Sequence, residues 1–384
     1  MQFEFATATR IIFGPGTIEK VPPIAGQMAE RVLLVMGKDK QRAEFFLKGL
    51  TDQGLQVVDF QMPAEPNIDI VHEGVELARK SKCQLVVGLG GGSVLDTGKV
   101  LAALLTNHGE LLDYLEVVGK GRELINPSAP YIAVPTTAGT GAEVTRNAVL
   151  GVPDRQVKVS MRSRFMLPRL AVVDPELTYS MPPHLTASTG LDALTQLLEA
   201  FVSNSSNPLT DGLCREGLSR AAGSLRCAFQ DGGDTQAREN MSVASLFSGL
   251  ALANAKLGAV HGLAGPLGGM IPAPHGVLCG KFLPWVMAAN IEALKKRSSD
   301  SPALGRYGEA AQILTGQPEC SAEDGAEWVR ILSHDLDLPP LREFGLKEAD
   351  FPEVVEKSKK ASSMKGNPVA LTEEELREIL EHSL

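Results

Sequence analysis

Apolar residues in the first half of the chain fall into short blocks separated by segments of helical spacing. Arg31–Met36 (RVLLVM) is a continuous apolar run that predicts a buried strand, and Leu55–Phe60, Gln84–Leu89, Tyr131–Pro135 and Leu170–Val173 predict four more. Gln41–Thr51 and Ile68–Lys80 predict helices, and another runs from the Gly90–Ser93 turn to about Leu105. Strands that alternate with helices need right-handed crossovers, which predicts a mainly parallel sheet with helices on both faces. After about Pro183 the pattern changes. Thr186–Ser203, Leu209–Phe229, Gln236–Leu257 and Ser321–Leu336 all repeat at helical spacing with little strand signal, and polar Lys296–Pro302 predicts a loop. The expectation is two domains: an α/β domain over residues 1–182 and an all-helical domain over 183–384, with ligands bound in the cleft between them.

Composition adds exclusions. The 384 residues are 43% hydrophobic and 22% charged, ordinary for a globular chain. A formal net charge of -9 argues against non-specific binding to nucleic acid or an anionic membrane. No uninterrupted apolar stretch is long enough to span a bilayer, and the start MQFEFATATR lacks the features of a signal peptide. Cys83, Cys214, Cys227, Cys279 and Cys320 are widely spread with no C-x-x-C pair, so they read as reduced thiols of a cytoplasmic protein rather than a disulfide frame or thiolate zinc site.

Two loops carry candidate chemistry. GGGSVLDTGK, from Gly90 to Lys99, lies between a predicted strand and a predicted helix. Free backbone N–H groups and the positive end of the helix dipole make such a turn a phosphate cradle, and Ser93 can cap the helix or donate to a phosphate. The run is neither G-x-G-x-x-G nor a Walker motif, and a tight turn that binds nothing has the same composition. The second loop, PTTAGTGAEVT from Pro135 to Thr145, offers hydroxyls and small residues at the carboxyl end of a predicted parallel strand, where ligands bind in doubly wound sheets.

His261 and His275 stand fourteen residues apart in a segment rich in glycine and proline. Imidazoles suit zinc or ferrous iron, and a carboxylate is a common third ligand. Asp192, in TGLDALTQLLEA, is the best candidate, because an unpaired aspartate on a packed helix is costly. A hydrogen-bonded core or cap histidine is the competing reading for each imidazole, and spacing alone does not join Asp192 to them.

The ordered set of Phe13-Gly14-Pro15-Gly16, GGGSVLDTGK, PTTAGTGAEVT, VVDPELT from Val172, TGLDALTQLLEAF from Thr189 and VHGLAGPLG through PHG at His275 resembles the iron-containing (group III) alcohol dehydrogenases over nearly the whole chain. The resemblance implies an α/β dinucleotide-binding domain followed by an all-α domain, the architecture shared with dehydroquinate synthases. It implies a pyrophosphate bound at Gly90, Gly91, Gly92 and Ser93, with Asp96 in the same motif, Thr136, Thr137 and Thr140 lining the cofactor site, and Lys158 able to reach the cofactor. The implied activity is hydride transfer between NAD(P)H and an aldehyde or ketone at a divalent metal, with Asp192, His261 and His275 as the catalytic centre. Relatives of this kind are commonly homodimers or larger.

The sequence departs from the family pattern twice. Where the family has a histidine four residues after the aspartate, this chain has Gln196, read as a weak metal ligand or a donor to bound water. The related glycerol dehydrogenases use zinc with three such ligands, so zinc stands beside iron. Where many relatives have a histidine four residues after the first ligand histidine, this chain has Gly265, which removes a proton carrier and leaves room for a bulkier substrate. NAD-preferring relatives often carry an aspartate just after the first strand. Gly37 occupies that place, and Lys38 and Lys40 can attract a 2′-phosphate, so the reading leans to NADP over NAD, with Asp39 nearby as a counter-argument. Two rivals remain: a non-redox metal- and nucleotide-dependent enzyme on the same scaffold, and a binding protein with a degenerate active site.

Overall fold

The most apolar blocks of the sequence form the middle of one sheet. The computed structural model describes residues 2–38, 40–63, 65–155 and 157–384. The chain divides into two compact units, Thr7–Thr137 with Gly141–Thr178, and Met1–Ala6 with Ala138–Thr140 and Tyr179–Leu384.

The first unit contains β1 (Ile11–Phe13), α1 (Val21–Met28), β2 (Arg31–Met36), α2 (Lys40–Asp52), β3 (Gln56–Gln61), α3 (Ile68–Lys80), β4 (Leu85–Gly90), α4 (Gly92–Thr106), the short α5 (Leu111–Tyr114), β5 (Tyr131–Pro135), β6 (Asn147–Val152), β7 (Val157–Arg162) and β8 (Leu170–Val173). Six strands pair in parallel in the order β3-β2-β4-β5-β8-β1. Alternate residues of β2 feed two separate cores, as the pleat requires. Leu33 and Val35 pack with Val71 and Leu101, while Val32 and Leu34 pack with Val21, Phe46 and Leu50. Helices therefore cover both faces, the condition under which central strands lose polar–apolar alternation and read as continuous apolar runs. The strand order reverses between β2 and β4. Ligands of open parallel sheets bind at the carboxyl ends of the strands flanking such a switch, and here those ends carry Gly37-Lys38 and Gly90–Ser93.

Beyond the sequence expectations, this unit gains β1 as an edge strand and an antiparallel hairpin, β6 with β7, in a separate two-stranded sheet. A buried lysine ties the hairpin to α4. Lys99 is fully buried and its Nζ donates to Asp96 Oδ1 (3.0 Å), Thr145 Oγ1 (2.8 Å) and Asn147 O (2.6 Å). Asp96 Oδ2 accepts from the Val149 N–H at 2.9 Å. Glu143 is buried nearby, and burial raises its carboxyl from 4.5 to about 7 against the pull of its own backbone hydrogen bond and of Lys99. The raised value favours the protonated folded form. That stabilisation is complete below about 4.5 and is lost as pH rises through about 7. The gap is worth about 3 kcal/mol. Glu143→Gln is therefore expected to flatten the fall of the thermal midpoint between pH 5 and pH 8.5; an equally steep fall in both proteins refutes the assignment.

The second unit is helical: α6 (Pro183–Val202), α7 (Pro208–Gln230), α8 (Thr235–Asn254), α9 (Ala259–Met270), α10 (His275–Arg297), α11 (Pro302–Thr315), α12 (Ala322–Asp335), α13 (Phe351–Lys360) and α14 (Glu373–Ser383). Asn207 and Thr210 form a capping box at the start of α7, and Ser321 with Asp324 forms one at the start of α12. α6 is the central helix, buried almost all round and packed against α7, α8 and α10. Lys296 and Arg297, expected in a loop, complete the last turn of α10, where positive charge is favourable. By length and composition α10 is the one single helix among the described residues able to cross a membrane, but 72% of its apolar window is buried inside this unit. Its apolar run is broken by Lys281 and Glu292.

Candidate active site

Three polar residues interrupt the apolar surface of α6. Asp192, Gln196 and Glu199 are spaced four and three apart, which places them on one face of the helix. Each is at least nine-tenths buried. α9 brings His261 to this face, and the first two turns of α10 bring His275 and Cys279. Asp192 Oδ1 lies 3.4 Å from His261 Nε2 and 3.7 Å from His275 Nε2. Cys279 Sγ lies 3.8 Å from His261 Nε2 and 3.6 Å from His275 Nε2. One ligand atom from each of Asp192, His261, His275 and Cys279 falls within 4.8 Å of all the others.

Two glycines allow this convergence. A Cβ at Gly276 would stand 2.0 Å from the Ser188 carbonyl oxygen, so only glycine lets α10 start against α6 with His275 turned to Asp192. A Cβ at Gly258 would stand 2.8 Å from Glu199 Oε1. Glycine there leaves the Glu199 carboxylate free to cap α9, accepting from the Val260 N–H at 2.7 Å and the His261 N–H at 3.4 Å. The same carboxylate contacts His261 Nδ1 at 2.6 Å. A carboxylate accepts only, so this contact fixes a proton on Nδ1 and leaves Nε2 as the nitrogen that faces Asp192.

The buried charges of the site stabilise one another. Burial would raise the Asp192 carboxyl, but the neighbouring His261 and His275 and a hydrogen bond from Gln196 outweigh it and hold the carboxyl below its ordinary range. Burial opposes charge on His261, yet Cys279, Asp192 and Glu199 together keep its imidazolium form well above the usual value. Burial would also raise the Cys279 thiol, and the two imidazoles bring it below its ordinary value. Asp192 Oδ1 is buried without a hydrogen bond of good geometry, facing His261 Nε2 at 3.4 Å and His275 Nε2 at 3.7 Å, an arrangement that a divalent ion satisfies. The donor set therefore fits a metal. His275 is the accessible member, its side chain 44% exposed against 8% for His261 and 3% for Asp192.

The structure thus brings Asp192, His261 and His275 together. Gln196 is beside them, but its Oε1 accepts from Ser248 Oγ at 3.0 Å, which leaves the amide N–H groups for the site. Glu199 and Cys279 were missed in the sequence. Glu199 was visible as the third member of the polar stripe on α6, and Cys279 as the residue one turn after His275. Gly265, one turn after His261, faces open space: an added Cβ meets nothing within 4 Å.

The candidate dinucleotide residues sit mostly in the α/β unit. Gly90 ends β4, Gly91 is the N-cap of α4 with no side-chain cap, and Gly92 and Ser93 form the first turn. Thr136 N–H donates to Gly90 O at 3.0 Å, and a Cβ on Gly91 would lie 3.3 Å from Thr137 Cγ2, so the two predicted loops are neighbours. Asp96 is engaged by Lys99 and the Val149 N–H, a bridge inside the unit. Lys158, on β7, pairs with Glu65 at 2.7 Å. Thr140 belongs to the helical unit. Gly37 follows β2 in open space, with an exposed Lys38 beside it whose carbonyl accepts from Gln61 Nε2 at 2.8 Å. Asp39 and the side chain of Lys40 lie outside the described residues.

Comparison with known proteins gives one consistent result. Residues 8–175 match the family model "Iron-containing alcohol dehydrogenase", and residues 186–384 match its companion, "Fe-containing alcohol dehydrogenase family, C-terminal". The chain is 36% identical to a 1,3-propanediol dehydrogenase of Citrobacter freundii over 385 residues, spanning 98% of this chain and 97% of that one. It is 35% identical to alcohol dehydrogenase 4 of Saccharomyces cerevisiae over 376 residues, 96% and 95% of the two chains. The solved structure of an alcohol dehydrogenase from Oenococcus oeni superposes with a TM-score of 0.91 at 32% identity, covering all of both chains.

Proposed function

The chain belongs to the iron-containing alcohol dehydrogenase family, a group of metal-dependent oxidoreductases acting on small molecules, and on that premise we propose that it interconverts an alcohol and its aldehyde or ketone using NADP and a metal held by Asp192, His261 and His275. The observation that carries the metal assignment is the buried Asp192 Oδ1, without a hydrogen bond of good geometry, facing two imidazole nitrogens at 3.4 and 3.7 Å. When bound, the metal supplies Lewis-acid polarisation of a carbonyl oxygen and the nicotinamide supplies the hydride. The chain's own residues do the positioning. Glu199 holds the His261 tautomer, Gln196 hydrogen-bonds Asp192, and the exposed side of His275 is where substrate reaches the centre. The uncapped N-terminus of α4 at Gly91–Ser93, beside Thr136 and Thr137, suits the pyrophosphate.

The assay is a panel of aldehydes with NADH and NADPH, before and after chelation and metal return. Activity that survives complete metal removal sinks the reading. The preference for NADP rests on Gly37 and the exposed Lys38. Because a Cβ at Gly37 meets nothing within 4 Å, Gly37→Asp folds without strain and sets a carboxylate against a 2′-phosphate. The KM for NADPH is expected to rise at least about tenfold, with little change for NADH. Equal change for both cofactors would count against NADP. A cytoplasmic setting is supported by the five free cysteines, and assembly as a homodimer or larger oligomer, resting on the family resemblance, is read out by sedimentation.

A further inference from the structure

Cys279 is fully buried, one helical turn beyond His275, with its sulfur turned toward both imidazole nitrogens. A tetrahedral centre with metal–sulfur near 2.3 Å, metal–nitrogen near 2.0–2.1 Å and metal–oxygen near 2.0–2.2 Å places sulfur and nitrogen about 3.6 Å apart and oxygen and nitrogen about 3.3 Å apart. The corresponding separations here are 3.6 and 3.8 Å for sulfur to nitrogen, and 3.4 and 3.7 Å for oxygen to nitrogen. Four of the six edges of a coordination tetrahedron are thus matched to within about 0.4 Å, and all six separations lie within 4.8 Å. A second, independent observation points the same way: the Asp192 Oδ1 that completes the set is buried without a hydrogen bond of good geometry. The other candidate, Gln196, is engaged in hydrogen bonds with Ser248 Oγ at 3.0 Å and with Asp192.

We propose that Cys279, as a thiolate, is the fourth protein ligand of the metal, and that the resulting Asp-His-His-Cys set selects zinc over ferrous iron. The proposal rests on the metal reading above and extends it: with four protein ligands, substrate oxygen enters as a fifth ligand from the exposed side of His275. A carboxylate and a thiolate with two neutral imidazoles balance a divalent charge, and as the metal binds, the thiol proton and the proton of each imidazolium leave to solvent. Soft thiolate favours zinc, whereas an amide or a third imidazole adds no such bias.

The protein is loaded with Co(II) under anaerobic conditions and its near-ultraviolet spectrum recorded. A sulfur-to-cobalt charge-transfer band is expected in the wild type and is lost in Cys279→Ser. Chelator competition is expected to show zinc affinity falling more than about 100-fold in Cys279→Ser, beyond the 10–100-fold typical of losing a partner outside the coordination shell. The ratio of zinc to ferrous-iron affinity is expected to fall at least about tenfold in Cys279→Ser relative to wild type, and an unchanged ratio overturns the selection. A Co(II) wild type without the band, or a folded Cys279→Ser within about threefold of wild-type zinc affinity, overturns the thiolate. His261→Ala separates the two readings. If it loses metal while Cys279→Ser keeps it, only the thiolate ligand fails; if it keeps metal, the centre itself is misassigned. The cobalt spectrum needs no variant, so misfolding of one does not blunt the test.

Discussion

His261→Ala is expected to purify nearly free of metal and to lose activity by on the order of 10³-fold or more. The electrophilic contribution of a catalytic metal is worth several kcal/mol, and each 1.36 kcal/mol is a factor of ten in rate. The place of His261 in the proposed centre goes beyond one nitrogen. It joins Asp192, Cys279 and Glu199, three groups that are each buried. Truncating it leaves Asp192 with one fewer neighbour to offset its burial and removes the side-chain partner of Glu199. The measurement is metal content by elemental analysis alongside turnover with the best aldehyde. A variant that keeps both metal and turnover refutes the centre as assigned.

Glu199→Gln is expected to weaken metal affinity by 10–100-fold while leaving the ligand set intact. Glutamine preserves the shape but has one accepting oxygen, whereas the carboxylate serves the Val260 N–H, the His261 N–H and His261 Nδ1. Loss of the negative charge also removes a favourable group from the N-terminus of α9. Either the imidazole or the helix end loses its acceptor, and in the first case the His261 tautomer is no longer fixed. Glu199→Asp restores the charge on a shorter arm and is expected to recover part of the affinity. Chelator competition on all three proteins checks this, and equal affinity in Glu199→Gln and wild type assigns Glu199 a merely structural role.

The parts of the fold legible in the sequence are those where one physical effect dominates. β2, β5 and β8 are continuous apolar runs because both faces of the sheet are covered, and their predicted limits coincide with the observed ones. β1 has only three residues and the β6–β7 hairpin stands outside the main sheet, so neither carries a periodic signal long enough to read. Asp192, His261 and His275 were legible as residue types, but their proximity was not, because α6, α9 and α10 are brought together by tertiary packing. Cys279 failed a different test. Judged by cysteine-to-cysteine spacing it looks solitary, whereas the informative interval is the four residues to His275 on the same helix. Asp96 shows the reverse: it lies in a cofactor motif, and in the folded chain both its oxygens serve Lys99 and Val149.

The burial of α10 has a consequence for how the chain is made. α6 and α9 precede it and are ready to cover one side, but α11, α12 and α14 pack on it from sequence synthesised later. The roughly 90 residues after Arg297 take on the order of 5–20 s to translate. During that interval part of the covering of this apolar, membrane-length helix has not yet been made. Variants that weaken α12 or α14 are therefore expected to lower the soluble fraction on expression even where they leave the active site untouched.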